Sequence, residues 1–295
     1  MNGFLNILKP PDMSSAAVVA CIKKITGGKV GHAGTLDPQA AGILPVMIGC
    51  ATRLFDYLID KRKEYIAELA FGTSTDTQDA QGTVIEKSIN YPNIEDIKKA
   101  FVAFTGSLMQ RPPAYSAIKR NGIALYTQAR NGNLLDIEAR PIEIYSIDLM
   151  NIMPNNGYLM RIVCGKGVYI RTLCHDIGQY LGCPAHMRFL LRTSTGVFGL
   201  TDAVTLEDVP DEISIIKHLL APDYPLQHLT KVDVPAALDK ACRNGAKLPL
   251  SIFPKLSEIE KGCIVRLYRE HEFIGIAQKC EDGYFHFKTM MSDIP

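Results

Sequence analysis

Motifs for a bound metal, a nucleotide cofactor or a membrane anchor are missing from this chain of 295 residues, and each absence narrows the chemistry open to it. The eight cysteines, Cys21, Cys50, Cys164, Cys174, Cys183, Cys242, Cys263 and Cys280, include no C-x-x-C pair, which argues against a zinc ribbon and a disulfide framework and for reduced thiols. No two histidines stand in H-x-x-x-H or H-E-x-x-H spacing, so no metal site is expected. Neither G-x-G-x-x-G nor G-x-x-x-x-G-K-[ST] occurs, and the expectation is a protein without cofactors. No apolar run approaches the roughly 20 residues of a membrane span, and the opening Met1 to Asn6 lacks the basic-then-apolar layout of a secretory signal. The cytoplasm is therefore the expected compartment. Repeats and low-complexity tracts are absent as well.

What is there begins with Gly31-His32-Ala33-Gly34-Thr35-Leu36-Asp37-Pro38, continuing through Gly42 to Val46. A single carboxylate sits in a turn of small and conformationally special residues, as expected where backbone is shaped to present it outward. An isolated Asp-Pro is ordinarily a turn starter; the glycines and His32 around Asp37 turn the reading toward a site. A net charge of +1 says little about partners, because a nucleic-acid binder needs local basic stripes. Such clusters are Lys23-Lys24 with Lys29, Lys61-Arg62-Lys63, Lys119-Arg120, and Arg188 with Arg192, although a solvated face is the commoner use of each.

The pattern mixes strands and helices without a regular β-α-β rhythm, which predicts an α+β fold. Phe4 to Leu8 reads as a strand stopped by Pro10-Pro11, and Ser14 caps a helix that Gly27-Gly28 ends. Gly42 to Ile48 is a predicted buried strand, and Ala51 to Ile59 an amphipathic helix by its Leu54-Phe55-Leu58 spacing. Tyr65 to Phe71 and Thr83 to Ile85 are expected strands around the polar loop Thr73 to Asp79. Asn93 caps a helix ended by Gly106. Met109 to Gly122, with a short helix near Leu125 to Arg130, forms a basic, proline-braced excursion. Ile142 to Leu149 and Leu159 to Cys164 make a hairpin across Pro154 to Gly157. Val168 to Arg171 is expected as a strand, followed by a helix ended by Gly182, a strand from Ala185 to Leu191, and a helix from Ile213 to Leu220. A boundary near 225–229 separates residues 1–228 from a small, mostly β module, 229–295.

One acid in the loop bears on reaction type, because glycoside hydrolysis generally needs two facing carboxylates. A single Asp suffices where the leaving group is itself activated and the bond is re-formed without water. Arg171 could reach Asp37 as a bidentate partner, lowering its pKa and fixing its orientation. Tyr65 and Tyr169 could sandwich a planar base, each stacking contact being worth about 1 to 3 kcal/mol; as core tyrosines they would simply satisfy their hydroxyls.

Five blocks resemble bacterial tRNA pseudouridine-55 synthases of the TruB type: Gly31 to Pro38 running into Ala41 to Val46; Lys63 to Tyr65 leading to Thr75-Asp76-Thr77; Pro112 to Lys119; Lys166 to Leu173; and Gly182 to His186 followed by Leu190. They span most of residues 1–200, and their shared order exceeds chance. The resemblance implies that a uridine of the tRNA T-arm stem-loop is flipped out, its C1′–N1 bond broken, and the uracil rejoined through C5. It implies Asp37 as the catalytic carboxylate, Arg171 as its salt-bridge partner, and Tyr65 as the ring stacked on uracil and a candidate acceptor of the C5 proton. Tyr169 and Leu190 would line the pocket, His32 would fill the gap left by the flipped base, and Lys63 and Lys119 would contact the RNA. Attack on C1′, proton abstraction from C2′ and attack on C6 all remain open for Asp37, and each needs an ionised, desolvated carboxylate. A phenol with pKa about 10 is a poor base, but alternation puts Lys63 on the same face as Tyr65, where it could help. The implied architecture is a catalytic domain with a central antiparallel sheet, an inserted thumb at about 108–140 that clamps RNA, and a C-terminal PUA-like RNA-binding barrel. The chain departs from the commonest pattern at Ala33, where Thr is frequent, and at Leu191, where a second Arg often stands. Two rival readings are an RNA-binding module without catalysis and a guide-dependent relative working inside a ribonucleoprotein. The intact Asp37, Tyr65 and Arg171 set favours an enzyme over pure binding, because an acid would repel RNA phosphates. The short segment before the first strand and the lack of a basic tail weigh against the guide-dependent form, and no obligatory protein partner is expected.

Overall fold

The computed structural model describes residues 1–58, 61–113, 119–120, 123–124, 137–238, 241–242, 244–253 and 260–291. The helix expected near Leu125 to Arg130, most of the expected thumb and the side chain of Lys119 lie outside these residues.

Strand β1 (Gly3–Lys9) leads into helix α1 (Ser15–Thr26), capped as expected by Ser14 Oγ accepting from Ala17 N–H at 3.1 Å. Gly27, at φ +64°, ends the helix in the left-handed conformation that glycine adopts without a Cβ penalty. Short β2 (Val30–His32), β3 (Ala41–Ile48) and β4 (Lys63–Phe71) follow. β3 is buried on both faces: Ile43 and Met47 enter one core cluster, while Leu44, Val46 and Ile48 enter another against α1. Each such side chain contributes about 1.5–3 kcal/mol by leaving water. β5 (Thr73–Thr75) pairs with β6 (Val84–Lys87), helix α2 (Ile94–Ala103) is capped by Asn93, and β7 (Gly106–Gln110) precedes the small pair β8 (Lys119–Arg120) and β9 (Ile123–Ala124). The long hairpin β10 (Arg140–Met153) and β11 (Gly157–Cys164), helix α3 (Ile170–Tyr180), β12 (Ala185–Thr195) and β13 (Phe198–Gly199) complete a nine-stranded sheet.

The main path of that sheet is β1-β3-β12-β4-β11-β10-β7, with β2 on β3 and β13 on β12. All its pairings are antiparallel except a two-residue parallel contact of Leu191 and Arg192 with Ala41 and Gly42. Gly42, at φ +123°, is required there, since a Cβ would lie 2.2 Å from the Arg192 carbonyl oxygen. β4 occupies the middle, and its alternation buries Tyr65, Ala67 and Leu69 in the largest core cluster, beneath α2 and α3.

A second sheet takes β14 (Thr230–Asp233), β16 (Ile264–Arg269), β17 (Glu272–Lys279), β18 (Tyr284–Met290) and β15 (Leu248–Pro249) in that order. It packs onto the first unit through Ile276 and Met291, which share a cluster with Phe4, Leu54 and Leu226. Arg266 reinforces the junction, donating to the Leu229 carbonyl at 3.1 Å and to Asp223 at 3.0 Å. No helix among the described residues is long and apolar enough to cross a membrane.

Some expectations need correcting. The expected Ala51 to Ile59 α-helix is a 3-10 run, Gly49–Tyr57, wound by tight i→i+3 bonds after Gly49 turns left-handed. Val168 to Arg171 is not a strand. Gln110 takes both backbone groups of Tyr169, at 3.0 and 2.8 Å, and helix α3 begins at the next residue. The loop expected from Thr73 starts as β5, the helix expected to end at Gly106 stops at Ala103, and β12 runs on to Thr195.

Candidate active site

Residues 33–40 connect β2 to β3, and five polar contacts stitch their backbone in place. Ser15 Oγ accepts from Leu36 N–H at 2.9 Å and donates to Leu36 O at 3.0 Å. Ala33 N–H donates to Pro45 O at 2.9 Å, Lys9 Nζ to Pro38 O at 3.0 Å, and Arg192 Nη2 to Gly34 O at 2.9 Å. With Leu36 buried on one side, Asp37 turns toward a cavity of about 390 Å³. That size lies within the usual range of about 300–1,000 Å³ for small-ligand pockets.

The cavity brings together most residues named from sequence. Asp37, Lys63, Tyr65, Tyr169, Arg171 and Leu190 all line it, joined by Lys166 and Arg192. Arg171 Nε lies 2.9 Å from Asp37 Oδ2, and its Nη2 donates to Oδ1 at 3.3 Å, a fork-on-carboxylate arrangement. The guanidinium is 5% exposed while the carboxylate is 38% exposed, so the acid keeps an open face and its partner does not. Burial raises the Asp37 pKa above the ordinary carboxylate value; Arg171 opposes that rise, Asp79 adds to it, and Lys9 opposes it. The lowering expected from Arg171 is present, and the larger effect of desolvation outweighs it.

Sequence reasoning passed over several groups that shape this site. Asp79 stands 3.6 Å from Arg171 Nη1, which also donates to the Thr77 carbonyl at 3.2 Å. Thr172 Oγ1 ties the same loop to α3 through Gln78 at 2.8 Å. Lys9 is fully buried, donates to the carbonyls of Pro10, Met13 and Pro38, and has its pKa lowered by burial to about 8. The signal available for Lys9 was its place before Pro10-Pro11; two of its contacts are local, and the one to Pro38 that ties it to the acid loop leaves no trace in spacing.

The basic pair Arg188 and Arg192 does not form an RNA-facing cluster. Arg188 is engaged by Glu68 at 2.6 Å, and Arg192 is 1% exposed, donating to Ile43 O at 2.7 Å as well as to Gly34 O. Arg192 sits directly across from Tyr65 in the β12/β4 register, close enough for its charge to oppose the rise in the Tyr65 pKa. Lys63, expected on the same face as Tyr65, lines the same cavity, and its Nζ donates to the Lys61 carbonyl at 3.1 Å. Desolvation still raises the Tyr65 pKa despite Arg192.

His32 lies on β2, half-buried and outside the residues lining the cavity, with its pKa lowered by burial and by Arg192. Its Nδ1 is buried, with no hydrogen-bond partner among the described residues. Among the described residues one group could offer three metal ligands, Cys280, Asp282 and His286, on the second sheet far along the chain; the Lys247 ammonium already occupies Asp282 there at 2.9 Å.

Comparison with known proteins places this geometry. Residues 22–170 match the family model described as TruB family pseudouridylate synthase (N terminal domain), and residues 171–235 match tRNA pseudouridylate synthase B C-terminal domain. The chain is 42% identical over 276 residues to tRNA pseudouridine synthase B of Alkaliphilus oremlandii, covering 93% of this chain and 92% of that protein. It is 38% identical to the protein of the same name from Clostridium tetani, over 99% of this chain and all of the relative. Among solved structures, a Cbf5-Nop10-Gar1 complex contains a chain that superposes with a TM-score of 0.73 at 26% identity, over 99% of this chain and 85% of the other. The folded framework and the sequence together show that this chain belongs to the TruB family of pseudouridylate synthases, which are isomerases.

Proposed function

We propose that this chain converts uridine to pseudouridine at position 55 in the T-arm of tRNA, flipping the base into the cavity beside Asp37. The observation that carries the reading is the Asp37–Arg171 pair: one carboxylate, forked by a dry guanidinium, open on its remaining face to a nucleoside-sized cavity. Relatives named tRNA pseudouridine synthase B over nearly the whole chain supply the substrate class.

In this reading Asp37 is the catalytic carboxylate, and Arg171 holds its two oxygens so that it meets the ribose in one orientation. Tyr65 contributes its ring as a stacking surface. Its raised pKa keeps the hydroxyl protonated at neutral pH, so no preformed phenolate waits in the free site. Tyr169, fixed at its backbone by Gln110, and Leu190 close the walls around the base. His32 fills the space vacated in the RNA, and Lys63 and Lys119 meet phosphates. Stacking and phosphate contacts together offset the few kcal/mol that flipping costs. The second sheet, within residues 229–295, serves as a PUA-like RNA-binding module, and the excursion at about 108–140 as the thumb. The protein works on bare tRNA in the cytoplasm, without a cofactor or an obligatory partner.

The decisive experiment maps pseudouridine by mass-labelled analysis in a T-arm stem-loop after incubation with purified chain. Product at the expected uridine, lost in Asp37→Ala with RNA affinity unchanged, supports the proposal; retained turnover in that variant removes Asp37 from the chemistry. RNA binding with no product in the wild type favours a non-catalytic binding module. Activity that appears only after a guide RNA and protein partners are added favours the ribonucleoprotein alternative.

A further inference from the structure

Arg192 is a fully buried cation in the cavity, and among the described residues no carboxylate forms a salt bridge with it. Its side-chain partners are two main-chain carbonyls, Ile43 O and Gly34 O, and it faces Tyr65 across the paired strands. Buried charges in proteins are normally paired, because desolvation without a counter-charge is costly. Arg171 in the same cavity obeys that rule with two carboxylates, and Arg192 does not. Its carbonyl contacts fix the guanidinium to the Asp37 loop and to β3, while the register of β4 and β12 holds it against the stacking tyrosine. The charge is thus held rigidly at the wall of the cavity that Asp37 also lines, with no carboxylate in salt-bridge range among the described residues.

We infer that Arg192 is the electrostatic complement of the uracil anion formed during the reaction, a role that rests on the pseudouridine reading above. When C1′–N1 breaks, its electron pair stays on the ring, giving a uracil anion with charge spread over N1, O2 and O4. Asp37 meanwhile takes up the sugar, by a bond to C1′ or by accepting the C2′ proton. After the ring turns, C5 bonds to C1′ with an electron pair from the ring, the C5 proton departs and N1 gains one, so composition is unchanged. Between these steps the negative charge has moved from the Asp37 carboxylate onto the ring, and a preset cation beside the ring acts on that state without reorganising. Arg192 also stands opposite Tyr65 in the β12/β4 register, so the ring on which uracil stacks and the charge that stabilises it come as one unit from paired strands.

The test compares wild type, Arg192→Met and Arg192→Lys in single-turnover reactions on a tRNA stem-loop carrying uridine or 5-fluorouridine at the target, reading cleavage of C1′–N1. Fluorine stabilises the departing anion and so lessens the need for a protein cation. Arg192→Met is expected to slow uridine cleavage about 100-fold, the size of effect found when a donor is removed from an anion-stabilising site. RNA affinity should stay within about threefold, Arg192→Lys should recover at least about tenfold, and the Arg192→Met deficit should shrink about tenfold or more on 5-fluorouridine. A deficit equal on both substrates, or an Arg192→Met rate matching wild type, overturns the inference. Should Arg192→Met lack a cooperative melt, the deficit of Arg192→Lys on the two substrates decides by the same criterion. A wild type inactive on both RNAs would instead sink the pseudouridine reading itself.

Discussion

Ser15 Oγ closes a small ring with Leu36, accepting from its N–H at 2.9 Å and donating to its carbonyl at 3.0 Å. Both partners are buried, and the next residue is Asp37. A helix N-terminus thereby sets the height of the loop that carries the acid, because neither backbone group of Leu36 has a strand neighbour to satisfy it.

Ser15→Ala is expected to cost about 1–3 kcal/mol, the penalty for stranding buried polar groups. Urea denaturation should show a lower midpoint with an unchanged slope. Turnover should fall more than RNA affinity, because the loop holds Asp37 and not the phosphate contacts.

The pH profile should carry the mark of Asp37. Its folded-state pKa is raised, so the acid limb of kcat/KM should lie above the ordinary carboxylate value of 3.8. Because Asp79 contributes to the rise, Asp79→Asn should move the limb to lower pH. Arg171→Met should move it to higher pH, since the guanidinium opposes the rise. The sign for stability is opposite to that of an exposed ion-paired carboxylate: the charged form is penalised by folding, so wild type loses stability relative to Asp37→Asn as pH rises through the window between unfolded and folded values. Titrated rates of the variants, with urea midpoints at matched pH, check both halves.

Lys9 gives a prediction at the alkaline end. Folding lowers its pKa from 10.5 to about 8, so the unfolded chain binds the extra proton between those values and stability gains as pH rises through them. The gain, read as wild type minus Lys9→Met, should be on the order of 3 kcal/mol between pH about 7.5 and 10.5. Loss of the Lys9 charge should at the same time raise the apparent pKa of Asp37, which that charge lowers.

Gly42→Ala should be among the most damaging single substitutions in the chain. The backbone is at φ +123°, and the new Cβ would meet the Arg192 carbonyl oxygen at 2.2 Å and its amide nitrogen at 2.5 Å. Separation of β3 from β12 would displace the Asp37 loop and Arg192 together. A cost of about 3 kcal/mol or more is expected, seen as loss of the cooperative thermal transition or a large drop in its midpoint.

The sequence determined the local pieces: Ser14 and Asn93 as helix caps, Gly27 as a terminator, the hairpin across Pro154 to Gly157, and the turn around Asp37, because these depend on neighbours within a few residues. It also singled out Asp37, Tyr65, Tyr169, Arg171 and Leu190, which the fold gathers around one cavity. Folding brought together partners separated by long stretches of chain: Lys9 and Ser15 under the acid loop, Gln110 on Tyr169, Asp79 on Arg171, and Arg192 turned inward although its place in a basic cluster suggests solvent. Desolvation depends on what the rest of the chain excludes from the cavity, so the raised pKa of Asp37 and the buried charge of Arg192 exist only once the sheet has closed around them.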